Sequence, residues 1–147
     1  MTVETTRVAM VCVQNAGRSQ MATAYAERER EARDLADTVE IRSGGTRPAE
    51  SVHDVVREAM REEGFDLSDR TPREITDGEL EACDYVATMG CSTLELDADT
   101  DVRDWDLEDP HGRDLETVRE IREDVKGRVE ALFDEIEAER DGSQSRS

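Results

Sequence analysis

Arg7-Val-Ala-Met-Val-Cys-Val13, Gln14-Asn-Ala-Gly17 and Arg18-Ser-Gln-Met-Ala-Thr-Ala-Tyr-Ala-Glu-Arg-Glu-Arg30 follow one another without a break. The first is a short apolar run, the pattern of a strand buried on both faces of a parallel sheet. The third is rich in good helix formers and contains neither Gly nor Pro. Between them lies an Asn-Ala-Gly turn. A strand, a tight loop and a helix in that order leave the N–H groups of the first helical turn without intrahelical partners. They point into the loop together with the positive end of the helix dipole, and so form a cradle for an anion.

Cys12 opens this loop and Arg18 closes it, with five residues between them. Loop amides, dipole and guanidinium all favour an ionised sulfur, and Ser19 can donate one more hydrogen bond to it. Arg18 can clamp two oxygens of a tetrahedral oxyanion with its planar fork, which lysine cannot copy. The residues that would line the anion are therefore Val13, Gln14, Asn15, Ala16, Gly17, Arg18 and Ser19. Asn15 is expected to hold the loop in shape through hydrogen bonds to the loop backbone, and Gly17 to let main chain approach the ligand. The chemistry these groups imply is attack of the Cys12 thiolate on the central atom of a phosphate-like group. The competing reading makes Cys12 a core residue and Arg18 a surface one. Cys-x5-Arg alone would not decide between them, but the strand, turn, serine and helix around it favour chemistry.

At 147 residues the chain suits one domain with an ordinary core. No run reaches transmembrane length and the N-terminus lacks a signal-peptide pattern, so a cytoplasmic protein is expected, with no membrane partner. Three cysteines argue for reduced thiols rather than a disulfide framework. Their spacing fits no zinc pattern, and His53 and His111 are not paired with them, so no metal and no bound cofactor are expected. The formal net charge is -19, and Lys126 is the only lysine. Such a surface suits a salt-saturated cytoplasm, as in halophiles, where hydrated carboxylates maintain solubility. It argues against nucleic acid as a partner. An acidic protein can still bind an anion there, because the Debye length falls to about 3 Å at 1 M salt and the local cradle decides.

Along the chain, Val39–Gly45 reads as a second strand and Ser51–Glu63 as a helix stopped by Gly64. Pro72 and Gly78 bracket a loop and a short helix, and Asp84–Met89 reads as another strand. Trp105–Gly112 reads as a loop and Leu115–Glu139 as a long amphipathic helix. Its stripe is Leu115, Val118, Ile121, Val125, Val129, Leu132, Phe133 and Ile136. Residues 1–140 form the expected domain and 141–147 a flexible polar tail. Strands alternating with helices imply an α/β domain, a parallel sheet covered on both faces with ligands at the carboxyl ends of its strands.

Val11-Cys-Val-Gln-Asn-Ala-Gly-Arg-Ser-Gln-Met-Ala22 resembles the signature loop of the low-molecular-weight tyrosine phosphatase superfamily, in its arsenate-reductase branch. Ser43-Gly-Gly-Thr-Arg-Pro-Ala-Glu-Ser-Val52 is similar to that branch's second-strand segment, and Gly64-Phe-Asp-Leu-Ser68 to the turn after it. Asp84-Tyr-Val-Ala-Thr-Met-Gly-Cys91 is similar to the strand leading to its second redox cysteine, and Trp105-Asp-Leu-Glu-Asp-Pro-His-Gly112 to its general-acid loop. The signature loop and the four segments that follow it in the family's order imply the family's fold: a single three-layer α/β/α domain around a four-stranded parallel sheet.

The resemblance makes Asp109 the general acid, which must hold a proton for the departing oxygen; on its own, Asp109-Pro110 could be only a turn. It also makes Cys91 a redox partner of Cys12. Cys91 follows the carboxyl end of the Asp84–Met89 strand, on the sheet edge of the Cys12 loop. Cys83 precedes the other end, on the order of 20 Å away at about 3.3 Å per residue, and reads as a small buried residue. The thioredoxin-coupled reductases of the branch carry a third cysteine soon after the second, where this chain has Ser92-Thr-Leu-Glu-Leu96. Either an external thiol, or a thioredoxin-like or glutaredoxin-like protein, then attacks a Cys12–Cys91 disulfide directly, or reduction follows another route.

The resemblance implies arsenate reduction first, and phosphomonoester hydrolysis, including phosphotyrosine, through a phosphocysteine second. His111-Gly112 follows Asp-Pro where the phosphatases place an aromatic wall, and Cys91 has no task in hydrolysis. Both features favour the reductase. A non-catalytic oxyanion or phosphopeptide binder would not need Cys12, Arg18 and Asp109 together. A dinucleotide enzyme would show Gly-x-Gly-x-x-Gly after its first strand, which is absent.

Overall fold

The computed structural model describes residues 5–12, 14–45, 47–67, 70–89, 101–105, 107–108, 110 and 112–144. In chain order the elements are β1 (Thr6–Cys12), α1 (Arg18–Ala32), β2 (Val39–Gly45), α2 (Asp54–Arg61), α3 (Asp77–Glu81), β3 (Tyr85–Met89), β4 (Asp101–Asp104) and α4 (Leu115–Gln144). The sheet runs β2-β1-β3-β4, and every pair is parallel. This is the expected three-layer α/β/α arrangement. Val8, Met10 and Cys12 face α1, α2 and α4, whereas Ala9 and Val11 face Ile75, Leu80, Cys83 and Val86 on the other side. Both faces are covered, so Val8 to Cys12 is a continuous buried run rather than an alternating one.

β1 is the strand from which the order reverses, with β2 on one side and β3 on the other. Cys12 is in register with Gly45 of β2 and Met89 of β3. Three strands thus end side by side at the switch point of an open α/β sheet, where such folds bind ligands.

β4 was not visible in the residue pattern. Asp101-Val-Arg-Asp104 carries one apolar residue, Val102, which is 36% exposed. Short, charged strands are how sheets protect their edges, and such a strand has no hydrophobic face to read. Tertiary contacts hold it: Arg103 lies 5.5 Å over the Tyr85 ring and pairs with Glu135 of α4.

α2 is shorter than expected. It begins at Asp54 because His53, its N-cap, is extended (ψ 137°) and donates its backbone N–H to Ala16 O at 2.9 Å. Residues ahead of α2 are spent on the Cys12 loop instead of a helical turn. Gly64 ends the helix as expected, with Phe65 N–H bonding Met60 O and Gly64 N–H bonding Arg61 O.

Seven of the eight stripe residues of α4, Val118 to Ile136, are buried, and Leu115 packs partly buried against them. Asp114 starts the helix by accepting the Thr117 N–H at 2.9 Å. The helix continues to Gln144, so residues 141–144, expected as tail, are helical, while 145–147 lie outside the described residues.

α4 is tied to the end of α2 by Arg119 and Arg122, both bonded to Glu62. Hydrogen bonds from Arg119 and then Arg122 hold the Glu62 carboxyl down from 4.5 to about 2. A depressed carboxyl stabilises the fold above its unfolded value and loses that contribution as pH falls through the folded one. The urea midpoints of native protein and Glu62→Gln are therefore expected to differ by a constant gap above about pH 5, closing towards pH 2. A gap that widened on acidification would contradict this linkage.

Candidate active site

The loop expected to hold an anion leaves β1 at Cys12 and enters α1 at Arg18. Cys12 is 3% exposed, but its sulfur faces polar groups. The Asn15 N–H donates to Sγ at 3.1 Å, and Ser19 Oγ lies 2.8 Å from it. The Asn15 backbone reaches this position with φ 52°, in the left-handed region that Asn tolerates better than most residues.

The Asn15 side chain organises the loop. Its Oδ1 accepts the Arg73 N–H at 3.0 Å and Gln20 Nε2 at 3.2 Å. Its Nδ2 donates to Ser19 Oγ at 2.7 Å and to Ser43 Oγ at 2.8 Å. Two donors on one end settle which end is the oxygen. Nδ2 fills one lone pair of the Ser19 hydroxyl, which leaves its proton and its second lone pair for the Cys12 sulfur. The sequence reading has Asn15 holding the loop by hydrogen bonds to the loop backbone; in the structure its side chain ties the loop to β2 and to the segment before α3. The loop backbone is held by others: Gln20 Nε2 donates to Asn15 O, Ala49 N–H to Gln14 O and His53 N–H to Ala16 O, each at 2.9 Å.

At Gly17 space is tight: a Cβ there would lie 2.8 Å from Pro110 Cγ and 3.5 Å from His53 Cδ2. What approaches Gly17 is the buried Pro110 ring. Arg18 Nη1 donates to Leu107 O at 3.0 Å, and Trp105 N–H donates to Thr88 O at 2.8 Å. Leu107 and Pro110, two before and one after the expected acid, thus lie against Arg18 and Gly17 at the helix entry.

Of the residues expected from sequence, Cys12, Gln14, Asn15, Ala16, Gly17, Arg18 and Ser19 come together here. Val13, Cys91, Asp109 and His111 lie outside the described residues. Met89, two positions before Cys91, is the register partner of Cys12. Cys83 is buried on the opposite face of the sheet, its Sγ donating to Glu79 O at 3.3 Å. Burial pushes its thiol above the ordinary range, the behaviour of an inert core cysteine. Gln20, Ser43 and Arg73 support the loop without a local signature in the sequence: nothing along the chain links Arg73 to Asn15, 58 residues away.

Residues 7–142 match the family described as low molecular weight phosphotyrosine protein phosphatase. The chain belongs to that family. The chain is an enzyme of this phosphatase family, which agrees with the signature-loop resemblance. Within it, a Halobacterium salinarum protein named "Putative arsenate reductase" is 68% identical over 133 residues, covering 90% of this chain and 94% of its own. The solved structure of a Corynebacterium glutamicum thioredoxin-dependent arsenate reductase matches with a TM-score of 0.77 at 34% identity. That match covers 95% of this chain, which spans 65% of the Corynebacterium protein. An arsenate reductase solved in its phosphate binding state matches with a TM-score of 0.75 at 31% identity, over 89% of this chain and 98% of that one. Among the described residues, no helix of this phosphatase-family fold is long and apolar enough to cross a membrane.

Proposed function

We propose that the protein reduces arsenate to arsenite with Cys12 as nucleophile. The observation that carries this reading is the setting of the Cys12 sulfur, which is held by the Asn15 N–H and beside the Ser19 hydroxyl at the switch point of the sheet. Donors aimed at sulfur favour the thiolate, the form that attacks. The Halobacterium relative supports arsenate as the substrate, and the phosphate-binding relative supports a tetrahedral oxyanion in the loop.

In the first step the Cys12 thiolate bonds to As(V), clamped by Arg18 and the loop amides, and one oxygen leaves as water with a proton from Asp109. In the second, the Cys91 thiolate attacks Cys12 Sγ. The S–As bond breaks with its electron pair passing to arsenic, arsenite leaves as As(III), and the two thiols end as a disulfide. Cys91 follows Met89, the register partner of Cys12, by two residues, which supports its place at the same edge of the sheet. An external thiol or a thioredoxin- or glutaredoxin-like protein then reduces the disulfide, and no resident cofactor or metal is required. A reducing cytoplasm of high salt is the proposed location, where Cys12 and Cys83 stay free thiols.

The family match favours phosphomonoester hydrolysis as a second reading, because the same attack on phosphorus gives a phosphocysteine that water cleaves. Cys91→Ser separates the two. Arsenate-driven thiol oxidation is expected to fall at least about 100-fold, with aryl phosphate hydrolysis within about twofold of native. Arsenate reduction that survives Cys91→Ser would remove Cys91 from the mechanism, and an absence of arsenate reduction in native protein would leave the phosphatase.

A further inference from the structure

Segment 73–75 runs beside the end of β2 like a fragment of a further strand. Gly45 N–H donates to Arg73 O at 2.9 Å and Ile75 N–H donates to Gly45 O at 3.2 Å. Gly44 makes the approach possible, since a Cβ there would lie 2.4 Å from Ile75 Cβ. This places the Arg73 N–H on Asn15 Oδ1, the first link of a relay. Arg73 N–H holds Asn15 Oδ1, Asn15 Nδ2 holds Ser19 Oγ, and Ser19 Oγ lies against Cys12 Sγ.

The Arg73 side chain closes a second loop of bonds. Nη1 donates to Ser43 O at 3.0 Å, and Nη2 donates to Glu79 Oε2 at 2.7 Å. Glu79 is a fixed anchor. Its N–H is capped by Thr76 Oγ1 at 3.2 Å, and its carbonyl accepts from both Arg42 Nη1 and Cys83 Sγ. The guanidinium therefore ties β2 to α3 across the residue whose backbone orients Asn15. The side chains of Arg73 and Glu79 are 50% and 32% exposed, so the pair adds little to overall stability. A contact of small thermodynamic weight that terminates on the loop nucleophile has another use.

We infer that Arg73 is a positioning residue for Cys12: braced by Glu79 and Ser43 O, it fixes the Asn15 amide and, through Ser19, the hydrogen bond to the sulfur. This rests on the reading of Cys12 as the nucleophile but not on the choice between arsenate and phosphate ester.

The test compares native protein with Arg73→Gln and Glu79→Gln, reading iodoacetamide alkylation of the Cys12 peptide and aryl phosphate kinetics. Melting midpoints are expected to stay within about 3 °C of native, as for loss of an exposed pair. Cys12 alkylation and kcat are expected to fall together by about five- to tenfold, the effect of one misaligned charge-assisted hydrogen bond. KM is expected to stay within about twofold, because Arg18 and the loop amides that bind the anion are untouched. In an Asn15→Ala background, or Ser19→Ala if that protein does not fold, Arg73→Gln is expected to add nothing, since both act through one relay.

Native alkylation rates in folded Arg73→Gln would overturn the role of Arg73 alone, as would an equal loss in both backgrounds. Native Cys12 reacting no faster than free cysteine would instead overturn the nucleophile reading and the role of Arg73 with it.

Discussion

Cys12→Ser is expected to abolish arsenate-driven thiol oxidation and aryl phosphate hydrolysis together, each falling by at least about 10⁴-fold. Both reactions begin with the same sulfur. A serine hydroxyl in its place would have to lose a proton far more tightly held, with no base positioned to take it among the described residues. The fold should survive. The Asn15 N–H and Ser19 Oγ that surround the sulfur can bond a hydroxyl as well, so no buried polar group is stranded. Oxyanion affinity should survive too, since Arg18 and the loop amides remain. Titration of Cys12→Ser with inorganic phosphate is expected to show binding within about fivefold of native, while both activities disappear. Activity above about one per cent in a clean preparation would show that another group carries the chemistry.

Asn15 offers the second large effect, because one side chain and an unusual backbone conformation meet there. Asn15→Ala takes Oδ1 from the Arg73 N–H and leaves Gln20 Nε2 with Asn15 O alone, and it places alanine at φ 52°. Left-handed backbone costs alanine about 1–2 kcal/mol and the lost bonds to Oδ1 add about 1 kcal/mol, so a loss of about 2–3 kcal/mol in urea unfolding is expected. Activity should fall at least about 100-fold, as the Asn15 N–H and Ser19 no longer address the sulfur in a fixed geometry. Asn15→Asp separates the two effects. It keeps an acceptor for Arg73 and Gln20 and tolerates the backbone, but it turns both donors towards Ser19 and Ser43 into acceptors. Stability should drop by about 1 kcal/mol less than in Asn15→Ala while activity falls as far. An Asn15→Asp protein with native activity would show that the orientation of the Ser19 proton is irrelevant to the sulfur.

Which parts of this were legible in sequence follows from how each is encoded. β1, the loop and the entry to α1 are written in contiguous residues. An apolar run, a turn and a helix-forming segment each have a local signature, and their succession specifies the cradle. The α4 stripe is equally local, repeating at helical spacing. β4 is the opposite case, since four residues with one apolar side chain become a strand only because β3 offers them a free edge. The composition of residues 51–53 suits a helix, but α2 starts only at Asp54 because the His53 N–H is taken by Ala16 O of the loop. α1 shows a third case. Ser19 to Ala26 are all buried, so its first turns carry no polar face to read.

The sequence alone determined the parallel α/β sheet, the strand-loop-helix entry from Cys12 to Arg18, and a strongly acidic composition. These depend on neighbours along the chain or on composition, and both can be counted residue by residue. Tertiary structure alone decided that Asn15 is oriented by Arg73, that Arg73 is braced by Glu79, and that Pro110 rests on Gly17. Those contacts join residues from 6 to 93 positions apart, and hydrogen-bond direction and steric fit exist only once the sheet has brought their segments within a few ångströms.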